Sequence, residues 1–196
     1  MRKVLLVLAP GVESMEFSPF LDIFGWNEML GSKDLHLEIC SLEEKISASW
    51  NLKLHFELNI KDIEISEYSA VILPGGFGKY HYFEAIKNRD LQSLIAGALE
   101  QQLYIIGICT GSILLASTGY FAGKKMTTYL YENGRYSKQL AGYKVNFQNS
   151  IFCKDERVWT SSSPATAIPL AFDLLEELTS HQNRKYIEAI MGFKNI

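Results

Sequence analysis

The chain of 196 residues carries no block or stripe of basic side chains, and 19 Lys and Arg stand against 22 Asp and Glu, a formal net charge of −3. Nucleic-acid binding is dominated by phosphate neutralisation, so this balance argues against a nucleic-acid partner. No apolar run approaches the roughly 20 residues that span a bilayer, so no membrane segment is expected. Cysteine is scarce. Three widely spaced cysteines build neither a disulfide framework nor a metal cluster, and they point to a reducing, cytoplasmic compartment. No spacing of His, Cys, Asp and Glu reads as a metal site, and no cofactor motif is present. Repeats, low-complexity tracts and Pro/Gly/Ser-rich linkers are also lacking. Residues 1–196 therefore read as a single domain, long enough to bury a sizeable core. The opening "MRKVLLVLAPGVE" places Arg2 and Lys3 before an apolar run, as a signal peptide would. The run is short, stops at Pro10-Gly11 and meets Glu13 instead of a small-residue cleavage site, so a buried first strand is the better reading.

What is present is an alternation of strand-like and helix-like segments. "KVLLVLA", "SAVILPGG" and "LYIIGIC" are continuous apolar runs, the signature of strands buried on both faces. "LHLEIC" alternates and reads as another strand, and "ISASWNLKLHFELNI" as a hairpin or excursion. "YKVNF", "SIFC" and "RVWTSSS" complete the expected strands. Helical spacing marks Ser14 to Leu30, with Gly31 as its C-cap, and Leu91 to Gln101. Further helices are expected from Gly111 to Thr118, from Pro164 to Leu178 with proline in the first turn, and around Arg184 to Met191. Strands and helices in this order imply a parallel sheet covered on both faces. Sites in such folds lie beyond the carboxyl ends of strands. Three such ends stand out: Pro10 to Glu16, Pro74 to Gly78 and Gly107 to Gly111.

The last of these carries the chemistry. In "YIIGICTGS" an apolar strand runs into Gly-Ile-Cys-Thr-Gly and a helix follows at once. Glycines at a strand-to-helix turn permit a tight, strained backbone that pushes the side chain at its tip out of the sheet. The N–H groups and positive dipole end of the next helix face the sulfur, so Cys109 is expected to have a depressed pKa and thiolate character. Cys40 and Cys153, within or at the ends of alternating strands, read as core residues. "LPGGFG" supplies glycines whose amides, with that of Thr110, can form an oxyanion hole, or it is a plain turn. "APGVESMEF" supplies Glu13 and Glu16, either of which can act as general acid or base beside the thiol or as a helix-dipole partner. These residues alone do not choose between the two carboxyls. Among the four histidines, His36 and His55 lie in alternating strands and His181 at a helix junction. His81, in "FGKYHYFEA", follows the glycine turn and is the histidine placed to fold over the pocket. Lys124-Lys125 reads as a solvated turn.

Taken together, "LAPGVESMEF", "VILPGGFG", "IIGICTGSILLASTGYFAGKKMTT" and "VWTSSSPATAIPLAFDLLEEL" resemble, in order, the ThiJ/PfpI family (the DJ-one-like proteins) of the class I glutamine amidotransferase-like superfamily. The resemblance implies a flavodoxin-like α/β fold, a three-layer sandwich with a mainly parallel sheet, commonly assembled as a homodimer. It carries Cys109 over as the nucleophilic cysteine and selects Glu16 over Glu13 as the acid that contacts it, protonated and donating to the thiolate. Desolvation at a sheet end raises a carboxyl pKa, consistent with that role. Gly75, Gly76 and Thr110 carry over as backbone donors of the pocket.

Two positions depart from the family's pattern. Proteases and amidases of the family place a histidine directly after the cysteine, where this chain has Thr110. Members with glyoxalase or deglycase chemistry carry a histidine in a "TTH" segment, where "MTTYL" has Tyr129. Tyrosine, with an ordinary pKa of about 10, is a poor general base near neutrality. A Cys–His protease is therefore not expected.

Three functions follow. The first is a cysteine-dependent hydrolase or hydratase acting on a small electrophilic molecule such as a carbonyl or an isocyanide. In it Cys109 attacks, Glu16 moves the proton, and the amides of Gly75, Gly76 and Thr110 hold the developing charge. Family members with "CTG" and a paired acid hydrate isocyanides without histidine, and this chain resembles them. The second is a redox or stress-response protein whose Cys109 stops at sulfinic acid, with Glu16 bonded to the product. The third is a ligand-sensing module. Domains of this kind occur fused to helix-turn-helix regulators, but the sequence leaves no room after its last helix for such a pair, so a sensor is expected to need a partner protein. Specificity is expected between "PGGFG" and Ala85 and around Tyr129 to Tyr136.

Overall fold

The computed structural model describes residues 2–193. In chain order the elements are β1 (Arg2–Leu8), α1 (Ser14–Leu30), β2 (Leu35–Ser41), β3 (Lys45–Ser47), β4 (Lys53–His55), β5 (Tyr68–Leu73), α2 (Arg89–Glu100) and β6 (Tyr104–Ile108). There follow α3 (Gly111–Ser117), β7 (Lys125–Met126), α4 (Arg135–Gly142), β8 (Asn146–Phe147), β9 (Phe152–Asp155), β10 (Val158–Ser161), α5 (Ala167–Leu178) and α6 (His181–Ile190).

Six strands form one sheet in the order β2-β1-β5-β6-β10-β9. Every pairing is parallel except β9 against β10 at the edge. Taken in chain order, the five parallel strands lie 2-1-3-4-5, the flavodoxin-like arrangement, whose direction of winding reverses between β1 and β5.

The apolar runs are apolar throughout because each strand serves two cores. Leu5, Val7, Val71, Leu73 and Ile105 pack with α2, α3 and α4. Leu6, Leu8, Ala70, Ile72 and Ile106 pack on the opposite face with α1, α5 and α6. Side chains in a strand alternate between faces, so a strand sandwiched by helices cannot alternate apolar with polar. The result is the expected three-layer α/β sandwich. Among the described residues no helix is long and apolar enough to cross a membrane.

Several local expectations change. "ISASWNLKLHFELNI" is a hairpin, but each strand is only three residues long, β3 antiparallel to β4. "YKVNF" contributes only Asn146–Phe147, which pairs with β7 outside the main sheet. The helix expected from Pro164 opens as a 3-10 turn, Pro164–Thr166, before α5 begins. The last helix starts at His181, three residues before Arg184, because the Ser180 hydroxyl accepts the Asn183 amide and caps it.

Candidate functional site

The winding reversal places the ends of β1, β5 and β6 together, and their loops are laced to one another. The segment after β1 pairs with the segment after β5: Phe77 N–H donates to Gly11 O at 3.0 Å and Glu13 N–H to Gly75 O at 2.9 Å. The ring of Tyr82 is fully buried beneath this turn, and its hydroxyl donates to Pro74 O at 2.5 Å. The three strand ends singled out in the sequence thus converge on one site.

Cys109 sits at the turn from β6 into α3 with φ +52°, in the left-handed region that β-carbon-bearing residues avoid. The cysteine itself carries this strain. Gly107 and Gly111 do not have positive φ; Gly111 serves close packing, because a Cβ there would collide with the carbonyl of Leu73. Two hydrogen bonds hold the turn in place. Cys109 N–H donates to Ser161 O on β10, and the Thr128 hydroxyl donates to Cys109 O, both at 2.8 Å. A strained conformer of this kind persists only where its surroundings over-determine it.

The side chain of Glu16 enters from the first turn of α1 and is wholly buried. Its Oε2 accepts the Gly75 N–H at 2.5 Å. Its Oε1 has no hydrogen bond of ordinary geometry among the described residues, while the carboxyl interacts with the Cys109 thiol and the Glu13 carboxyl. Gly75 is required for this approach. A Cβ there would lie 2.6 Å from Thr110 Oγ1 and 2.8 Å from Glu16 Oε2.

Burial dominates the acidities. It pushes Glu16 well above the ordinary carboxyl range, against the lowering effect of the Gly75 amide. It pushes Cys109 well above the ordinary thiol range as well, and an ionised Glu16 pushes further, against the lowering effect of the Thr110 amide. The depressed thiol expected from the sequence is thereby corrected. The turn does not present the sulfur to solvent, since Cys109 is only 6% exposed, and desolvation outweighs the helix terminus. Glu13 is half-buried and raised by burial to a lesser degree, with its interaction with Glu16 pulling the other way.

Cys109 opens into a cavity of about 180 Å³. It is lined by the polar residues Glu13, Gly76 and Thr110 and by Phe77, Tyr129, Tyr136 and Pro164. Thr110 is locked across the site: its hydroxyl accepts the Gly76 N–H at 2.9 Å and donates to Gly76 O at 2.8 Å. The oxyanion reading is thereby redrawn. The amides of Gly75 and Gly76 already donate to Glu16 and Thr110, so they organise the loop, and the Thr110 amide faces the sulfur.

Tyr129 reaches the cavity because the "MTT" segment is anchored to β10 and to the cysteine turn. Thr127 N–H donates to Thr160 Oγ1 at 2.8 Å, and Thr128 bonds Cys109 O. His81 does not reach it. It adopts φ +69°, its side chain is 73% exposed, and it pairs with Glu84 at 2.8 Å. The other histidines also make carboxylate pairs away from the cavity: His36 with Glu28, His55 with Glu44 and His181 with Glu176. Among the described residues no histidine lines the space above Cys109. Cys40 belongs to the core on the opposite face of the sheet from Cys109, and Cys153 lies buried in β9.

Two site residues lie within the segments expected to set specificity, but the sequence does not single them out individually. Tyr136 stands on α4, a helix with only Tyr136 and Leu140 buried, too short an apolar pattern to register. Tyr82 carried no signal beyond its place after the glycine turn.

Comparisons with known proteins agree with this architecture. A family model described as DJ-1/PfpI family matches residues 2–177. Protein dj-1beta of Drosophila melanogaster is 25% identical over 187 residues, covering 92% of this chain and 91% of that protein. The crystal structure of Drosophila DJ-1beta matches with a TM-score of 0.83 at 22% identity, over 97% of both chains. The structure of oxidized DJ-1 from Toxoplasma gondii matches with a TM-score of 0.80 at 21% identity, over 97% of this chain and 98% of that one. With the family model running from the first strand almost to the end of α5, the chain belongs to the DJ-1/PfpI family.

Proposed function

We propose that this protein is a cysteine-dependent hydrolase or hydratase of a small electrophilic molecule, with Cys109 as nucleophile and Glu16 as proton donor and acceptor. The observation that carries this reading is Cys109 in the cavity wall against a buried carboxyl, with no histidine lining that space among the described residues. Burial favours the neutral thiol and the neutral Glu16 in the resting state. The nucleophile then forms on demand. The S–H proton passes to Glu16 as the Glu16 proton passes to the carboxylate of Glu13, the neighbouring carboxyl at the cavity. With an isocyanide, sulfur bonds to the terminal carbon and the relay delivers the proton to that same carbon, giving a thioimidate. With an acyl carbonyl, the π pair moves onto oxygen and returns as the leaving group departs with the relayed proton, giving a thioester. Water then adds and the C–S bond breaks, restoring the thiol, so one water is consumed per turnover. The family's usual setting, a homodimer in a reducing compartment, belongs to the same proposal.

The test is a screen of isocyanides and reactive carbonyls, with products identified by mass. Turnover that disappears in Cys109→Ala and falls steeply in Glu16→Gln supports the reading. Turnover that survives Cys109→Ala overturns it.

A second reading is favoured by the buried Glu16 beside the sulfur, which can hydrogen-bond a sulfinate, and by the oxidized state in which the Toxoplasma relative was solved. Clean addition of two oxygens to Cys109 at low peroxide, without turnover of any electrophile, would favour this redox role.

A further inference from the structure

The cavity's composition goes further than its nucleophile. Three of the side chains above Cys109 are aromatic, and each comes from a different segment: Phe77 after β5, Tyr129 after β7, Tyr136 on α4. Each ring packs against further aromatic rings. Phe77 packs edge-on against Trp50 with centroids 5.3 Å apart, and against Tyr80 at 6.5 Å. Tyr136 stacks on Phe83 at 5.9 Å and lies 5.2 Å from the Arg135 guanidinium. Tyr129 meets Tyr131 at 5.3 Å and Tyr136 at 5.9 Å. Ring-to-ring packing favours defined faces and edges, which lowers the ordering a ligand must impose.

Size and polarity narrow the occupant. An apolar cavity of about 150 Å³ holds benzene. This one, at about 180 Å³, has space for a ring with a small polar head. Polar groups of Cys109, Thr110 and Glu13 share the lining with the three aromatic rings.

We infer that the site takes a flat, aryl-substituted electrophile, its ring against Phe77, Tyr129 and Tyr136 and its reactive carbon at Cys109. The inference rests on the proposed cysteine chemistry for the orientation of the reactive carbon; the aromatic preference itself does not. Phe77 and Tyr136 are then specificity-determining residues. A saturated ring of similar size is thicker and lacks the π face and polarised edge that make edge-to-face contact favourable.

The experiment uses benzamide and cyclohexanecarboxamide, two probes with the same polar head that need no turnover, titrated calorimetrically into the intact protein. Benzamide is expected to bind about tenfold more tightly. Phe77→Leu and Tyr136→Leu are each expected to reduce that preference to within about threefold, while Tyr136→Phe, which keeps the ring, retains it. Circular dichroism of each variant checks that the fold is kept. Equal binding of the two amides, no binding of benzamide, or a preference that survives both leucine variants overturns the inference. If benzamide is preferred but no electrophile is ever turned over, the aromatic specificity stands and the hydrolase reading falls.

Discussion

The Gly75 amide donates to Glu16 Oε2 at 2.5 Å, so the loop after β5 grips the acid that faces Cys109. No side chain fits between them, because a Cβ on Gly75 would meet Thr110 Oγ1 and Glu16 Oε2 well inside contact distance. Gly75→Ala is therefore expected to cost about 1–3 kcal/mol, the range for overpacking a closed interior. For a chain of this size each kcal/mol lowers Tm by about 2–4 °C, and a thermal melt reads it directly. An unshifted melt would mean that the loop moves aside freely.

Glu16 gives a stability prediction with a definite sign. Its folded pKa is raised by burial above its unfolded value of about 4.3. The folded state therefore holds the proton more tightly. This stabilising contribution is complete below the unfolded pKa and is lost as pH rises through the folded pKa. Glu16→Gln, which keeps the neutral shape, should melt above the wild type at pH 8, with the gap closing toward pH 4. A gap that widens on acidification would mean an ionised Glu16 stabilised in the fold.

Alkylation of Cys109 against pH, followed by intact mass, separates burial from thiolate stabilisation. Burial raises the folded pKa, so the midpoint is expected above the ordinary thiol value of about 8.5. A midpoint well below that value would show a protonated Glu16 donating to the thiolate strongly enough to overcome desolvation. Cys109→Ser controls for Cys40 and Cys153.

Glu13 bridges the buried acid and the cavity, since it lines the cavity and interacts electrostatically with Glu16, which has no exposed surface. Glu13→Gln is expected to lower kcat about 10²-fold, at the lower end of general acid–base effects. The acidic limb of the kcat profile should disappear as well, because Glu13 must be ionised to accept the relayed proton. A normal rate with the limb intact would send the proton by another route.

The parts of the site that were legible in the sequence are local. The junction of an apolar run, two glycines and a helix identifies Cys109 because all its evidence lies within a few residues. The fold was legible for a related reason: strands buried on both faces cannot hide their composition. What stayed obscure depends on distant packing. Whether Cys109 is desolvated depends on how Glu16, Gly75, Gly76 and Thr110 close around it, and the contacts Glu16–Gly75 and Gly76–Thr110 join positions 59 and 34 apart. His81 looked well placed by sequence proximity to the glycine turn, yet its left-handed φ and its pairing with Glu84 keep it outside. Tyr136 belongs to a helix that buries only two side chains, and only its packing on Phe83 and Tyr129 brings it to the cavity.

The turn that strains Cys109 is fastened by Ser161 and Thr128, both made after the cysteine in the chain. During synthesis from the N-terminus, the segment "GICTG" emerges before either fastener exists. The sulfur is thus expected to remain an ordinary, accessible thiol until β10 has joined the sheet beside β6. Its strained backbone and its enclosure are acquired at a late step of assembly, by long-range closure. A nascent or partly unfolded chain would therefore be alkylated or oxidised at Cys109 under conditions that spare the folded one, making this residue a natural marker of completed folding.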